Sequence, residues 1–154
     1  MTLAIEAPDR IGEAGDEAIA EVEEQLSVLF GRIRTVWKES AVQVHPDLQP
    51  AGYKLLAAIT RLGATNAHVL AEMFDLDKSV VSRQVRMLEE LGLVETRPDE
   101  TDGRVRVLVA TPNALGAVHG VRDRHQQRLR HVLAGHSEAE LRGFANLLRS
   151  IGDA

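Results

Sequence analysis

Five polar side chains in residues 78–86 could bind phosphates and the edges of bases. They are two hydroxyls and three cations: Lys78, Ser79, Ser82, Arg83 and Arg86. Cations neutralise phosphates, and guanidinium and hydroxyl groups also bond base edges in the major groove of DNA. On an α-helix these positions share one side, and no acidic residue interrupts residues 78–88. The stretch therefore predicts a helix face suited to double-stranded DNA.

The same stretch has the apolar spacing of a helix that packs on a core. Its apolar residues are four, three and three positions apart: Val81, Val85, Leu88 and Leu91. They stack along the side opposite the cations. Asp77 is placed to cap the start of this helix, and Gly92 is placed to end it in a left-handed conformation. The sequence thus predicts a short amphipathic helix over residues 77–92.

The flanking residues predict a helix-turn-helix followed by a two-stranded wing. Thr65 or Asn66 can cap a preceding helix, and residues 74–78 form a tight connection to the next one. Residues 93–97 and 104–109 are candidate strands joined by the turn-rich sequence PDETDG. In the second strand, Val105, Val107 and Val109 alternate with Arg104, Arg106 and Leu108. This order of elements is that of a winged helix.

The run DKSVVSRQVRMLEELGLVETRPDETDGRVRVLVAT resembles the MarR family of bacterial transcriptional regulators in the order and spacing of its recognition helix, wing and D-x-R wing motif. The resemblance implies a mainly α fold with a small two-stranded β wing, a homodimer, and most often a repressor. The D-x-R motif corresponds to Asp102 and Arg104. The family often has another arginine where this chain has Gly103, so we expect the wing to make one phosphate contact fewer.

Asp102 and Arg104 are two residues apart, so on a strand both side chains lie on one face. We expect the carboxylate to orient the guanidinium, which would enter the minor groove, where the negative potential is strongest over narrow A·T tracts. The alternative is a solvated ion pair in a turn, worth less than ~1 kcal/mol. The match to the wing motif favours the DNA-binding interpretation.

The long helices that flank the winged helix predict a dimer. Apolar periodicity runs from Asp16 to about Val44, from Thr111 to near Gly135, and from Ser137 to the end of the chain. The last stripe comprises Leu141, Phe144, Leu148 and Ile151. A winged helix of ~60 residues is too small to cover these stripes, so a second copy is the expected partner. We expect a mobile arm over residues 1–15, a dimerisation region over 16–47 and 112–154, and a winged helix-turn-helix over 48–111.

Charge and composition are consistent with a cytoplasmic protein that binds DNA locally. The 154 residues have a formal net charge of -5, but residues 1–51 hold four basic and ten acidic side chains, so the acid is concentrated there. DNA binding depends on the local face more than on the whole chain. The sequence contains no cysteine, no apolar run long enough for a membrane span and no basic leader. The absence of cysteine excludes disulfides and thiolate metal sites.

Enzymatic and metal-binding functions have little support in the sequence. The nucleophile, phosphate-binding and zinc-protease motifs are absent, so we expect no enzyme, no cofactor and no metal. His119, His125 and His131 are six residues apart. Each is turned about 120° from the previous one on a helix, so they form no single ligand face in one chain. A dimer could still bring two together, but solvated helix histidines are the better interpretation.

A small aromatic or amphipathic effector is a further hypothesis. Trp37 and Tyr53, the only Trp and Tyr, lie near the junction of the first two helices, where MarR proteins often bind aromatic acids. Together with Arg34 and His45 they could supply an aromatic wall, a cation and polar groups. The simpler interpretation makes Trp37 a core residue and Arg34 a solvated one.

The sequence therefore predicts a homodimeric regulator that recognises a pseudo-palindromic DNA operator. Lys78 and Arg86 are expected to contact phosphates, whereas Ser79, Ser82 and Arg83 are expected to read bases. The alternative is a winged helix used for protein interaction, without sequence-specific DNA binding.

Overall fold

The structure is a computed structural model, and it describes residues 12–153. These residues form six helices and three short strands, in the order α1 (Glu13–Val44), α2 (Pro50–Leu62), β1 (Ala64–Thr65), α3 (Ala67–Phe74), α4 (Lys78–Glu90), β2 (Val94–Pro98), β3 (Arg106–Ala110), α5 (Pro112–Leu133) and α6 (Glu138–Gly152). The predicted class, mainly α with a β wing, is confirmed.

The chain divides into two compact units, with the boundary inside α1 after Glu39. The described part of the first unit, residues 12–39, is helical from Glu13 on, three residues before the predicted start at Asp16. Residues 13–15, the end of the predicted mobile arm, are therefore helical. Residues 1–11 lie outside the described residues. Large apolar side chains of this helix remain exposed, among them Val22, Val28 and Phe30.

The core of the second unit, residues 40–153, is built mainly from the helices of the winged helix and from α5. Its largest fully buried apolar side chains are Leu55, Leu56, Ile59, Leu70, Val81, Leu88 and Val121. Each such side chain stabilises the fold by ~1.5–3 kcal/mol relative to exposure. Val81, Val85 and Leu88 are buried and Leu91 is half-buried, so the predicted inner face of α4 is confirmed.

Helices α2 and α4 approach each other closely at Gly52. A Cβ atom on Gly52 would lie 2.9 Å from Cδ1 of Leu48 and 3.4 Å from Oε1 of Gln84. Because glycine has no side chain, α4 can pack against α2 at this point. This contact helps to fix the orientation of α4 on the core.

The wing is part of a three-stranded antiparallel sheet in the order β1-β3-β2. The predicted hairpin is present as β2 and β3, with Thr96 opposite Leu108 and Pro98 opposite Arg106. Strand β1 was not predicted, because two residues carry no periodicity. Strand β3 begins at Arg106 and not at the predicted residue 104.

Capping side chains set several helix boundaries. The side chains of Asn66, Thr111 and Ser137 accept backbone N–H groups at the starts of α3, α5 and α6. Gly92 follows α4 with φ of 68°, as predicted, and it lets the N–H of Leu93 bond the carbonyl of Leu88 at 2.9 Å. Asp77 is the residue before α4, but its side chain makes no capping hydrogen bond.

Helices α5 and α6 complete the second unit. Ala114, Val118 and Val121 of α5 are buried, whereas every residue of α6 is at least partly exposed. Within residues 12–153, no helix has both the length and the apolar character needed to cross a membrane.

Candidate nucleic-acid interface

The outer face of α4 presents all the polar residues that the sequence singled out there. Each of them is exposed, namely Lys78, Ser79, Ser82, Arg83 and Arg86. The buried residues of the same helix pack it against α2 and α3, so its outer face is turned to solvent. The first acid of the helix is Glu89, in its last turn. This arrangement gives a helix that can approach a polyanion from its N-terminal half.

A tight turn sets α4 at an angle to α3. Asp75 adopts a left-handed conformation with φ of 51°, which aspartate tolerates better than most residues. The N–H of Leu76 bonds the carbonyl of Ala71 at 2.9 Å and closes the end of α3. Residues 75–77 therefore form the predicted turn of a helix-turn-helix.

The carboxylate of Asp99 accepts two hydrogen bonds within the turn of the wing. Oδ1 of Asp99 accepts the backbone N–H groups of Thr101 at 2.8 Å and of Asp102 at 2.9 Å. The hydrogen bond from Asp102, and to a smaller extent the one from Thr101, holds the pKa of the Asp99 carboxyl below its usual value. The backbone of Val105 closes the turn on both sides. Its carbonyl accepts the N–H of Asp99 at 2.8 Å, and its N–H donates to the backbone carbonyl of Asp102 at 2.9 Å. This role of Asp99 was not predicted from the sequence.

Asp102 and Arg104 lie in this turn and not on a strand, which corrects their predicted placement. Oδ1 of Asp102 accepts the backbone N–H of Arg104 at 3.1 Å. Among residues 12–153, the ion pairs do not include one between these two side chains. The carboxylate therefore orients the backbone of Arg104, while its exposed guanidinium stays available at the tip of the wing.

A groove of about 310 Å³ lies between α4 and the wing. Its polar lining comes from both elements and from the start of α3: Ser82, Arg86 and Glu89 lie on α4, Thr96 and Arg106 on the hairpin, and Asn66 just before α3. The hydroxyl of Thr96 donates to Oε1 of Glu89, and Nη2 of Arg106 donates to the carbonyl of Thr96 at 3.2 Å. This cluster was not predicted, because only the strand register brings Thr96 and Arg106 to the same face.

A second cavity, of about 520 Å³, lies on the opposite face of the hairpin. Its charged lining consists of Glu95, Arg97, Asp99 and Glu100, and Arg97 forms an ion pair of 3.5 Å with Glu100. Three acids and one cation give this face a net negative charge. The two faces of the wing therefore differ in charge, and the basic one faces α4.

The four residues proposed for an effector fall into different units. Arg34, which is exposed, and Trp37, which is half-buried, belong to the first unit. In the second unit, Nδ1 of His45 accepts the N–H of Asp47 at 3.1 Å. Tyr53 is buried and bonded to Ser40. His45 and Tyr53 thus each have a structural role within residues 40–153.

The family profile described as MarR family matches residues 47–105, from the turn before α2 to the end of the wing turn. The winged helix of this chain is therefore similar to that of the MarR family. The helix-turn-helix transcriptional regulator YxaD of Bacillus subtilis is 28% identical over 121 residues, which cover 79% of this chain and 85% of YxaD. Both similarities are to transcriptional regulators, the class of protein that the sequence predicted.

Two solved structures share the fold over most of their length. FabT of Streptococcus pneumoniae in complex with DNA has a TM-score of 0.73 at 18% identity, covering 88% of this chain and 98% of FabT. YusO of Bacillus subtilis has a TM-score of 0.66 at 22% identity, covering 90% of this chain and 97% of YusO. At these identities the likeness establishes the fold, including the helices outside the winged helix.

Proposed function

We propose that this chain is a MarR-family regulator that binds DNA sequence-specifically as a homodimer, with one α4 in each of two successive major grooves. The observation that carries the proposal is the exposed outer face of α4, where Lys78, Arg83 and Arg86 stand with no acid before Glu89. A helix of this kind, held by a helix-turn-helix, is suited to the major groove. FabT, which shares the fold, is in complex with DNA in its solved structure, and this supports DNA binding by the present chain.

The α4 residues divide into two roles by chemistry. Lys78 and Arg86 are proposed to bind phosphates and so to set the position of the helix. Ser79, Ser82 and Arg83 are proposed to contact base edges, because a guanidinium can bond the O6 and N7 atoms of guanine together and a hydroxyl can donate or accept. Arg104 is proposed to reach the minor groove from the wing.

Dimerisation is proposed through residues 16–47 and 112–154. The support within the second unit is α6, whose Phe144, Leu148 and Ile151 are between 43% and 51% exposed. Apolar stripes of this kind mark interaction surfaces. A two-fold dimer would match a pseudo-palindromic operator with half-sites about 34 Å apart. Repression is the mode of regulation that the family resemblance implies.

Two of the four candidate effector residues have structural contacts of their own. Of the four residues considered, His45 caps the turn before α2 and Tyr53 is buried against Ser40. These contacts account for both residues without a ligand.

The experiment that tests the proposal is selection of DNA from a random pool by the full chain. The expected product is a motif of two inverted half-sites with centres about 10 base pairs apart. Its affinity should fall by roughly 10³–10⁵ between 50 and 200 mM salt if the dimer neutralises ~6–10 phosphates. A pool without an enriched motif would contradict the proposal and favour a winged helix used for protein interaction.

A further inference from the structure

The groove between α4 and the wing contains two arginines that face the same space. Arg86 comes from the third turn of α4, and Arg106 comes from the first position of β3. Both residues are exposed. The bond from Nη2 of Arg106 to the carbonyl of Thr96, at 3.2 Å, crosses the hairpin and holds the guanidinium on the face toward α4.

The geometry of a DNA duplex requires a phosphate strand at this place. Each strand of phosphates separates the major groove from the minor groove. If α4 lies in the major groove and the wing turn reaches the adjacent minor groove, the intervening strand must pass between α4 and the wing. The groove lined by Ser82, Arg86, Thr96 and Arg106 occupies that position.

We propose that Arg86 and Arg106 together clamp the phosphate strand that runs between the two grooves, and that the Thr96 carbonyl positions Arg106 for this contact. The inference rests on the proposed DNA-binding function and adds a site to it. A guanidinium donates two parallel hydrogen bonds to a phosphate, which a single ammonium cannot reproduce. The clamp links the wing to α4 through the DNA and so fixes how far each element enters its groove.

Glu89 places a negative charge beside Arg86 and Arg106 in the same groove. Its carboxylate accepts the hydroxyl of Thr96 and is thereby held on the wing side of the groove. A negative charge there repels phosphates, so it weakens binding to every DNA sequence alike. We therefore expect Glu89→Gln, which keeps an acceptor for Thr96, to tighten binding about three- to ten-fold at low salt.

The direct test compares Arg106→Gln with Arg97→Gln on the selected operator. Both variants remove one arginine from the same hairpin, but Arg97 lies on the opposite face and pairs with Glu100. Arg106→Gln should weaken binding on the order of ten-fold or more. It should also reduce the magnitude of the slope of log K against log salt by about 0.9 per subunit. Arg97→Gln should leave the slope unchanged.

Two further results separate this inference from a folding defect and from the proposed function. Arg106→Lys should recover the salt slope but only part of the affinity, since it keeps the charge and loses the planar fork. A variant that is merely unfolded would recover neither. Equal binding by the Arg106 and Arg97 variants, with a wild type that still selects an operator, would overturn the clamp alone. A wild type that selects no operator would overturn the DNA-binding function itself.

Discussion

Oγ of Ser40 and Nε2 of His125 lie 3.0 Å apart, although the two residues are 85 positions apart in the chain. Ser40 is only 1% exposed and also bonds the hydroxyl of Tyr53. One buried hydroxyl therefore connects the end of α1, the start of α2 and the middle of α5. His125 was predicted to be a solvated histidine, but it is half-buried and has this structural contact.

We predict that Ser40→Ala lowers the free energy of unfolding by about 1–3 kcal/mol, because it removes the hydrogen-bond partner of two other side chains. The measurement is urea unfolding at a fixed protein concentration, since dimerisation would make stability depend on concentration. Ser27→Ala is the control, because the exposed hydroxyl of Ser27 bonds only the carbonyl of Glu23. Equal stability of the two variants would show that the Ser40 contacts contribute nothing.

The second prediction concerns alkaline pH. Burial raises the pKa of Tyr53 above 10.0, and the bond to Ser40 opposes the rise only in part. The folded chain thus holds the phenolic proton more tightly than the unfolded chain. This contribution to stability is complete below pH ~10 and is lost as the pH rises through the folded pKa. Between pH 9 and 11, the free energy of unfolding should fall more steeply for the wild type than for Tyr53→Phe. Parallel curves would contradict the prediction.

The sequence predicted the helices and the outer face of α4 because both depend on local spacing. Val81, Val85 and Leu88 recur at helical intervals, so one inner face and one outer face followed directly. Gly92 could be assigned from its residue type, since it takes the left-handed conformation without steric cost.

The features that the sequence did not predict depend on contacts between distant residues. To predict the groove, one needs the register of the two strands, which places Thr96 opposite Leu108 and Arg106 opposite Pro98. The role of Asp102 was misassigned, because spacing alone cannot show whether a carboxylate bonds a side chain or a backbone N–H. The contact between Ser40 and His125 has no local signal at all, since each residue is common on helices.

The third prediction tests the dimer. Phe144→Glu combined with Leu148→Glu places two charges on the exposed stripe of α6, which would cost several kcal/mol if a partner covered it. Sedimentation velocity should show dissociation or aggregation. Ser150→Glu is the matched control, because position 150 lies away from the stripe on the same helix, and it should sediment as the wild type does. A double variant that stays dimeric would place the interface elsewhere.

The fourth prediction concerns the wing turn. Asp102→Ala removes the acceptor of the Arg104 N–H and should weaken DNA binding even though it deletes an acid. Arg104→Ala should weaken binding most on sites flanked by A·T tracts. The double variant should bind only slightly more weakly than Arg104→Ala alone, because both changes disable one unit. Anisotropy at fixed salt on A·T- and G·C-flanked sites measures this cycle. Tighter binding by Asp102→Ala, or additive effects of the two changes, would exclude a positioning role.

If the outer face of α4 reads DNA sequence, the loss of Arg83 and the loss of Lys78 should affect binding in different ways. The affinities of the wild type, Arg83→Ala and Lys78→Ala are measured on the selected operator and on all its single-base variants, at several salt concentrations. Arg83→Ala should cost ~1–3 kcal/mol and relax preference at one base pair per half-site. Lys78→Ala should weaken every sequence alike and reduce the salt slope by about one for each phosphate that is no longer neutralised. If both variants weaken all sequences uniformly, α4 does not read bases through Arg83.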